Sequence, residues 1–497
     1  MNRGIVTWKR IHRVLGFVLA CALLLTAMVP PRVLAQAPRS AGPDNPIIQK
    51  YRQLIPQLMA EQDISGLAVA VVDDTRISSM IVAAYSLSLW SLLMSALVFW
   101  RLRAPMGFIP WIPKLAAGAL SPIWFVFGLL GLVLGLLKHA PLAAAAGALG
   151  MVCMVWYLWK ITRSKLDFEV EFGSDWQKHI APQREKGLLT SRWVGLLLEP
   201  DRSKACLHPD IPFWTIPGTS RQLLCDIWQP SASVTPSGLS VIFFHGSAWY
   251  MLNKDFGTRP FFSHLVAQGH VVMDVAYRLC PEVDVFDMVG DVKRAVAWMK
   301  RSSSQYGVNP QRLILGGASA GGHLSLLAAY ALQEPHLTPD ELKDADLSVH
   351  GVISLYGPSD LGAVYYHTNQ QRLVGLPKVA VGPEAAQGKK NMRDAGRLDI
   401  LVGGHLSEVP EAYNLASPIT HVHPGCPPTL LIQGNHDLIT PIAATRRLVQ
   451  ALVEAGVPAI SLEFPYVDHA FDLMLPFVSP SYQSALYAID RFLAMME

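Results

Sequence analysis

Apolar and polar positions follow two different rhythms along this chain. Between residues 77 and 160 the apolar positions run almost unbroken: 77–100 carry no charge between Arg76 and Arg101, 115–137 none between Lys114 and Lys138, and 140–159 none before Lys160. A helix rising about 1.5 Å per residue crosses ~30 Å of hydrocarbon in runs of this length. Three of them in succession predict three transmembrane helices (about 77–100, 115–137 and 140–159) rather than core helices of a soluble protein. From about residue 205 the rhythm changes to short apolar runs at 240–245, 270–276, 312–317, 350–356, 429–433 and 459–464. Amphipathic segments separate them, notably 286–304, where Met288, Val289, Val292, Val296 and Met299 share one helical face. Near-continuous apolar strands alternating with helices predict an α/β fold, a mostly parallel sheet covered on both faces. Active sites in such sheets lie beyond the carboxyl ends of the strands.

The N-terminus has a third pattern. Arg3, Lys9, Arg10 and Arg13 precede an uncharged run from Val14 to Val29, and Ala35-Gln36-Ala37 offers small residues at a signal-peptidase spacing. Residues 1–37 are therefore expected to be a signal peptide or an uncleaved N-terminal anchor. Composition agrees with a membrane protein: 51% of the 497 residues are hydrophobic and only 16% charged. The net charge of +3 gives no reason to expect nucleic acid as a partner. Basic residues instead sit beside the apolar runs, with Arg101, Arg103 and Lys114 after the first and Lys160, Arg163 and Lys165 after the third. Positive-inside counting puts 101–114 and everything after 160 in the cytoplasm, and 38–76 outside. Trp100, Trp111, Trp156 and Trp159 fall near segment ends, where aromatic belts form. No span carries Asp, Glu, Lys, Arg or His in its interior, so an anchor is expected rather than a transport pathway. Six scattered cysteines show no metal-binding spacing, and Cys206–Cys225 is the one disulfide pairing left open.

The string that carries chemistry is Leu313-Ile-Leu-Gly-Gly-Ala-Ser319-Ala-Gly-Gly-His323. An apolar strand ends in glycines, turns through Ser319 and enters a helix. Gly317 and Gly321 complete G-x-S-x-G, the nucleophile elbow, which exposes the serine hydroxyl at the positive end of that helix. Upstream, the strand from Val241 runs into His245-Gly246-Ser247-Ala248-Trp249. Backbone N–H groups of Gly246 and Ser247, with Ala320 from the elbow, are the expected oxyanion donors; losing one such donor costs about 3–4 kcal/mol. Asp437 follows the strand 429–433, and His469 follows 459–464, in the chain order serine, aspartate, histidine. His469 is thus the expected base and Asp437 its orienting acid, with His436, His421 and His423, and Asp468 and Asp472, as competitors.

These motifs carry a resemblance. HGSAW at 245–249, YRLCPE at 277–282, DVKRAVAWMK at 291–300, YGVNPQRLILGGASAGGH at 306–323, LLIQGNHDLITP at 430–441 and DHAF at 468–471 resemble the hormone-sensitive-lipase-like and acetyl-esterase group of α/β hydrolases. The likeness covers about 210–497, close to the feruloyl-esterase-like and kynurenine-formamidase-like branch. It implies hydrolysis of small-molecule carboxylic esters without cofactor or metal. One position departs: the family carries a second glycine where Ser247 stands, and a positive φ there would cost about 1–2 kcal/mol. A separate segment, 42–74, resembles the opening helix and strand of class C β-lactamase-like serine hydrolases, but no Ser-x-x-Lys or Lys-Thr-Gly follows. It is read as a truncated remnant within 38–76.

The expected organisation is then a targeting segment, the remnant, a helical membrane region over 77–165, a linker over 166–209 and a hydrolase domain over 210–497 with a cap at about 359–415. The leading function is a multi-pass, membrane-anchored serine esterase whose hydrolase domain faces the cytoplasm. Amide hydrolysis of the arylformamidase kind, methyl-ester removal from prenylated cysteine, and a catalytically silent adhesion or scaffold protein are the alternatives.

Overall fold

The structure, a computed structural model, describes residues 74–103, 107–185, 187–199, 201–246, 248–370 and 397–497. The expectations for 1–37 and for the β-lactamase-like stretch up to residue 73 lie outside the described residues.

The apolar N-terminal half forms α1 (Asp74–Phe99), α2 (Phe108–Ala119), α3 (Ser121–Leu137) and α4 (Pro141–Thr162). The helix expected over 115–137 is divided. Its first turn belongs to α2, and α3 starts afresh at Ser121 with the two axes bent by 75°. Pro122 favours the restart, because proline suits the first turn of a helix and, lacking an N–H, weakens continuation of the one before it. Ser79–Phe99 and Pro141–Thr162 are each long and apolar enough to cross a bilayer, and the bent pair makes a third candidate if taken as one span.

Packing within this bundle is inverted relative to a soluble core. Gly128, Gly131, Gly135, Gly147 and Gly150 line the contact between α1, α3 and α4, while Leu89, Leu93, Leu130, Leu136, Leu142 and Leu149 face outward. A Cβ on Gly131 would clash with Ser88 Oγ, and one on Gly147 would meet Leu132 N at 2.6 Å. Ser88 and Ser91 donate across the helices to the carbonyls of Ala143 and Trp124 at 2.7 and 2.8 Å. Small residues inside and large apolar ones outside are what helices need when lipid surrounds them.

The C-terminal region is built on one eight-stranded sheet. Its strands are β1 (Ala205–Thr215), β2 (Gln222–Pro230), β3 (Ser240–Phe244), β4 (Val271–Val275), β5 (Leu313–Ala318), β6 (Gly351–Leu355), β7 (Thr429–Gly434) and β8 (Ala459–Phe464). The spatial order is β1-β2-β4-β3-β5-β6-β7-β8, with β2 antiparallel to both its neighbours, β1 and β4, and every other pair parallel. Its helices are α5 (Arg259–Ala267), α6 (Val285–Tyr306), α7 (Ala320–Tyr330), α8 (Leu361–Gln370), α9 (Arg397–Val402), α10 (Pro410–Leu415), α11 (Ile442–Glu454) and α12 (Pro480–Met495). The six strands expected from apolar runs are all present, five of them buried throughout and β8 partly exposed at Ser461 and Glu463. β1 and β2 were not expected: β1 is a largely exposed edge strand with Pro212 inside, and the inner strand β2 has its apolar run interrupted by Asp226.

One boundary differs from expectation. β1 opens at Ala205, inside the stretch read as linker, and that stretch is packed. Phe168 and Trp176 stack at 4.7 Å in the same core as Ile460 and Phe492, Leu189 N donates to Asp490 Oδ2 at 3.2 Å, and Arg184 pairs with Glu497 at 2.5 Å. Cys206 and Cys225 are both free, since the register sets Cys206 opposite Gln229 and Cys225 opposite Ile211.

Gly147→Leu is expected to destabilise the helical bundle by about 1–3 kcal/mol through overpacking, read as a lower thermal midpoint in detergent. Leu142→Ala, on the outward face, should leave that midpoint nearly unchanged; equal behaviour of the two would contradict the inverted packing.

Candidate active site

Ser319 stands between the end of β5 and the first residue of α7, with φ 51° and ψ −117°. A non-glycine residue at positive φ is strained, and close packing holds the turn. A Cβ on Gly321 would run into Phe244 O, and one on Gly317 into the carbonyl carbon of Gly321. These two glycines permit β3, β5 and α7 to meet with the hydroxyl held above them.

His469 and Asp437 arrive from the loops after β8 and β7. Ser319 Oγ lies 2.9 Å from His469 Nε2, and His469 Nδ1 lies 2.9 and 3.1 Å from the two Asp437 oxygens. A carboxylate only accepts, so the ring donates from Nδ1 and leaves Nε2 to accept the serine proton. Asp437 is itself fixed: Oδ1 accepts from the amides of Ile439 and Thr440 at 2.8 and 2.7 Å, and Oδ2 from Gln433 at 3.3 Å. Both side chains are almost wholly buried, 4% exposed for His469 and 0% for Asp437, which strengthens the hydrogen bonds between them.

The competitors are engaged elsewhere. Asp468 Oδ1 accepts from the amides of Leu438 and His469 at 2.8 and 2.9 Å, and Oδ2 from Lys114 at 3.1 Å. Asp472 accepts from the Tyr356 hydroxyl. His421 Nε2 donates to Leu415 O at 2.8 Å, and His423 Nε2 to Tyr330 O at 3.3 Å. His436 is held down at about 4 by burial and by the nearby Lys114 and Arg101 charges, and its Nδ1 faces Lys114 Nζ at 3.3 Å.

The loop after β3 lies against the elbow. A Cβ on Gly246 would come within 2.9 Å of Ala318 O and 3.2 Å of Ser319 Cβ. Ala320 is buried at the start of α7. Ser247, the second expected donor, lies outside the described residues. The His245 ring stacks on Tyr277 at 4.6 Å, and burial lowers its pKa to about 4. Ala248 and Trp249 both take positive φ, 49° and 64°. The strained turn is tied down by Trp249, whose Nε1–H donates to His323 Nδ1 at 3.2 Å. His323 Nε2–H then donates to Ala416 O at 2.7 Å, a neutral tautomer that burial enforces by pulling the pKa to about 4.

Further along the loop, Lys254 pairs with Asp210 at 2.8 Å and Asp226 at 2.6 Å, and the Asp255 amide donates to Asp274 Oδ2 at 2.6 Å. Asp274 Oδ1 has no hydrogen-bond partner, and burial raises this carboxyl to about 7. Of the expected cap, α8, α9 and α10 are described, and 371–396 lie outside the described residues. His367 on α8 is half-buried, with Asp437 and the Leu438 backbone as neighbours.

Two residues of this site have places that the sequence does not announce. Lys114 and Trp111, by sequence a topology-setting charge and a belt aromatic, both reach the loop of His469; Trp111 Nε1–H donates to His469 O at 3.2 Å. No sequence signal marks either, because a lysine beside an apolar run is usually solvated. Among the described residues no His, Cys, Asp and Glu cluster suited to a metal occurs.

The sheet order and this arrangement above its strand ends define an α/β-hydrolase domain. Residues 225–452 match the BD-FAE family model. The chain is 31% identical over 271 residues to the probable carboxylic ester hydrolase LipM of Mycobacterium tuberculosis, and 30% identical over 276 residues to esterase LipQ of the same organism. The matches cover 54% and 55% of this chain, and 57% and 59% of those relatives. The solved structure of the thermophilic esterase Est2 of Thermogutta terrifontis has a TM-score of 0.45 and 22% identity, covering 60% of this chain and 95% of that one.

Asp274→Asn should stabilise the protein with a pH dependence of defined sign. In the wild type the unfolded carboxyl ionises near 3.8 but the folded one only near 7, so stability is lost as pH rises between them. The advantage of the asparagine should therefore grow between about pH 4 and 7, by up to about 1.4 kcal/mol per unit, and then level off. Unfolding free energies of the two proteins across that range check this; a constant difference would contradict the buried, unpaired carboxyl.

Proposed function

We propose that this protein is a membrane-anchored serine carboxylic-ester hydrolase using Ser319, His469 and Asp437. The observation that carries the reading is the unbroken hydrogen-bond line from Ser319 Oγ through the imidazole to Asp437, 2.9 Å at each step. His469 Nε2 takes the hydroxyl proton as Ser319 Oγ attacks the ester carbonyl. Asp437 keeps Nδ1 protonated and stabilises the imidazolium that forms. The negative charge on the carbonyl oxygen falls to the main-chain amides of Gly246, Ser247 and Ala320. His469 returns its proton to the leaving alcohol, and an acyl group remains on Ser319. Water, deprotonated by the same nitrogen, then releases the acid. No step calls for a metal or cofactor.

The similarity to LipM and LipQ, named as ester hydrolases, supports the substrate class. The substrates are small-molecule esters, and α8, whose His367 neighbours Asp437, is the cap element nearest the triad. Anchoring is supported by the length and apolarity of α1 and α4 and by the bundle's outward leucines. In this reading Lys160, over the rings of Trp156 and Trp159 at 4.7 and 5.2 Å, marks the cytoplasmic interface of α4, and the hydrolase domain follows on that side.

The full-length protein in detergent should hydrolyse p-nitrophenyl acyl esters. Ser319→Ala should lower kcat by about 10⁴-fold or more, and Asp437→Asn by about 10³- to 10⁴-fold, with KM little changed. Equal rates for wild type and Ser319→Ala would end the assignment.

A further inference from the structure

We propose that helix α2 of the anchor region is a positioning element for hydrolysis, acting through Lys114 and Trp111 on the loops that carry His469 and Asp437. The inference rests on the hydrolase reading above. Lys114 and Asp468 are buried together, with side chains 2% and 0% exposed. The second oxygen of Asp468 accepts the amide of His469, the proposed base, and the amide of Leu438, which follows the proposed acid. One carboxylate thereby ties the two loops together, and Lys114 ties that carboxylate to α2. Trp111 adds an independent tether, donating to the carbonyl of His469 at 3.2 Å with its ring centroid 6.4 Å from the imidazole. Leu102, just before α2, packs on Leu438 from the same side.

These contacts have one geometric consequence. The main chain of residue 469 is held at both its N–H and its C=O, by Asp468 and Trp111, so the imidazole departs from a fixed base. Neither tether is hydrogen-bonded to Ser319, whose hydroxyl meets His469 Nε2. A buried pair that loses one partner leaves an uncompensated charge, and here that charge would sit one residue from the base. The anchor is therefore part of the catalytic geometry, and its place in the chain, before the hydrolase region, does not make it a detachable tail.

The test uses the full-length protein in detergent with p-nitrophenyl butyrate, rates being expressed per site titrated by a fluorophosphonate. Lys114→Met should lower kcat about 10- to 100-fold with KM within about twofold, the penalty expected of a small misplacement. Combining Lys114→Met with Asp468→Asn should recover part of that loss, since the side-chain carbonyl of the amide can still accept both backbone N–H groups and no buried carboxylate is left unpaired. Trp111→Phe, which keeps a ring but lacks the donor, should lose about 3- to 10-fold in kcat. A merely structural role would reduce the number of titratable sites and leave kcat per site unchanged. Wild-type kcat per site in Lys114→Met, or in Trp111→Phe where the first variant does not accumulate, overturns the proposal. An inactive wild-type protein would overturn the hydrolase reading, and this inference with it.

Discussion

An imidazole can relay a proton from a hydroxyl only when its other nitrogen is already committed, and that constraint organises the C-terminal region. His469 Nδ1 is committed to Asp437, whose carboxylate is pinned by two backbone amides and Gln433. The partners come from positions 319, 437 and 469, far apart in sequence. Only adjacent strand ends of one parallel sheet bring them within hydrogen-bond reach, and β5, β6, β7 and β8 are those neighbours. The strain at Ser319 follows from the same demand, because the hydroxyl must rise from a turn that β3 and α7 crowd. Glycines at 317 and 321 relieve the crowding, and no larger residue fits either position.

The helical region is joined to this arrangement by contact as well as by chain. Tyr157 of α4 and Leu115 of α2 share a core with Val467, Phe471 and Tyr482, and Ser484 of α12 donates to Ile161 O at 3.5 Å. The bundle thus leans on the loops after β7 and β8, where the proposed acid and base reside. An interface of that kind makes the helical bundle and the site mechanically dependent on each other. Leucines of α1, α3 and α4 face outward, while Trp111 and Lys114 of α2 and Tyr157 of α4 face the C-terminal region.

Much of this was legible in the residues. Buried parallel strands read as apolar runs: five of them stood out because both faces of each are covered, and β8, at the edge, because one of its faces is. G-x-S-x-G was legible because only small residues fit that turn, and the order of Ser319, Asp437 and His469 followed from their places after strands. What escaped had physical reasons too. β1 is an exposed edge strand and β2 has Asp226 in the middle of its apolar residues, so no continuous run marks either. The break before Ser121 hid inside an apolar stretch, although Pro122 at a helix start was a usable signal. Lys114 escaped because its partner, Asp468, is 354 residues away, and no local pattern encodes a contact of that range.

The account depends on one oxygen acting as the nucleophile. Inactivating the protein with a fluorophosphonate and mapping the adduct by mass spectrometry of its peptides tests that directly. One phosphonyl group per chain, on Ser319, with ester hydrolysis lost in proportion to labelling, is the predicted result. Hydrolysis that survives complete modification of Ser319, or inactivation that maps to a different residue, would contradict it.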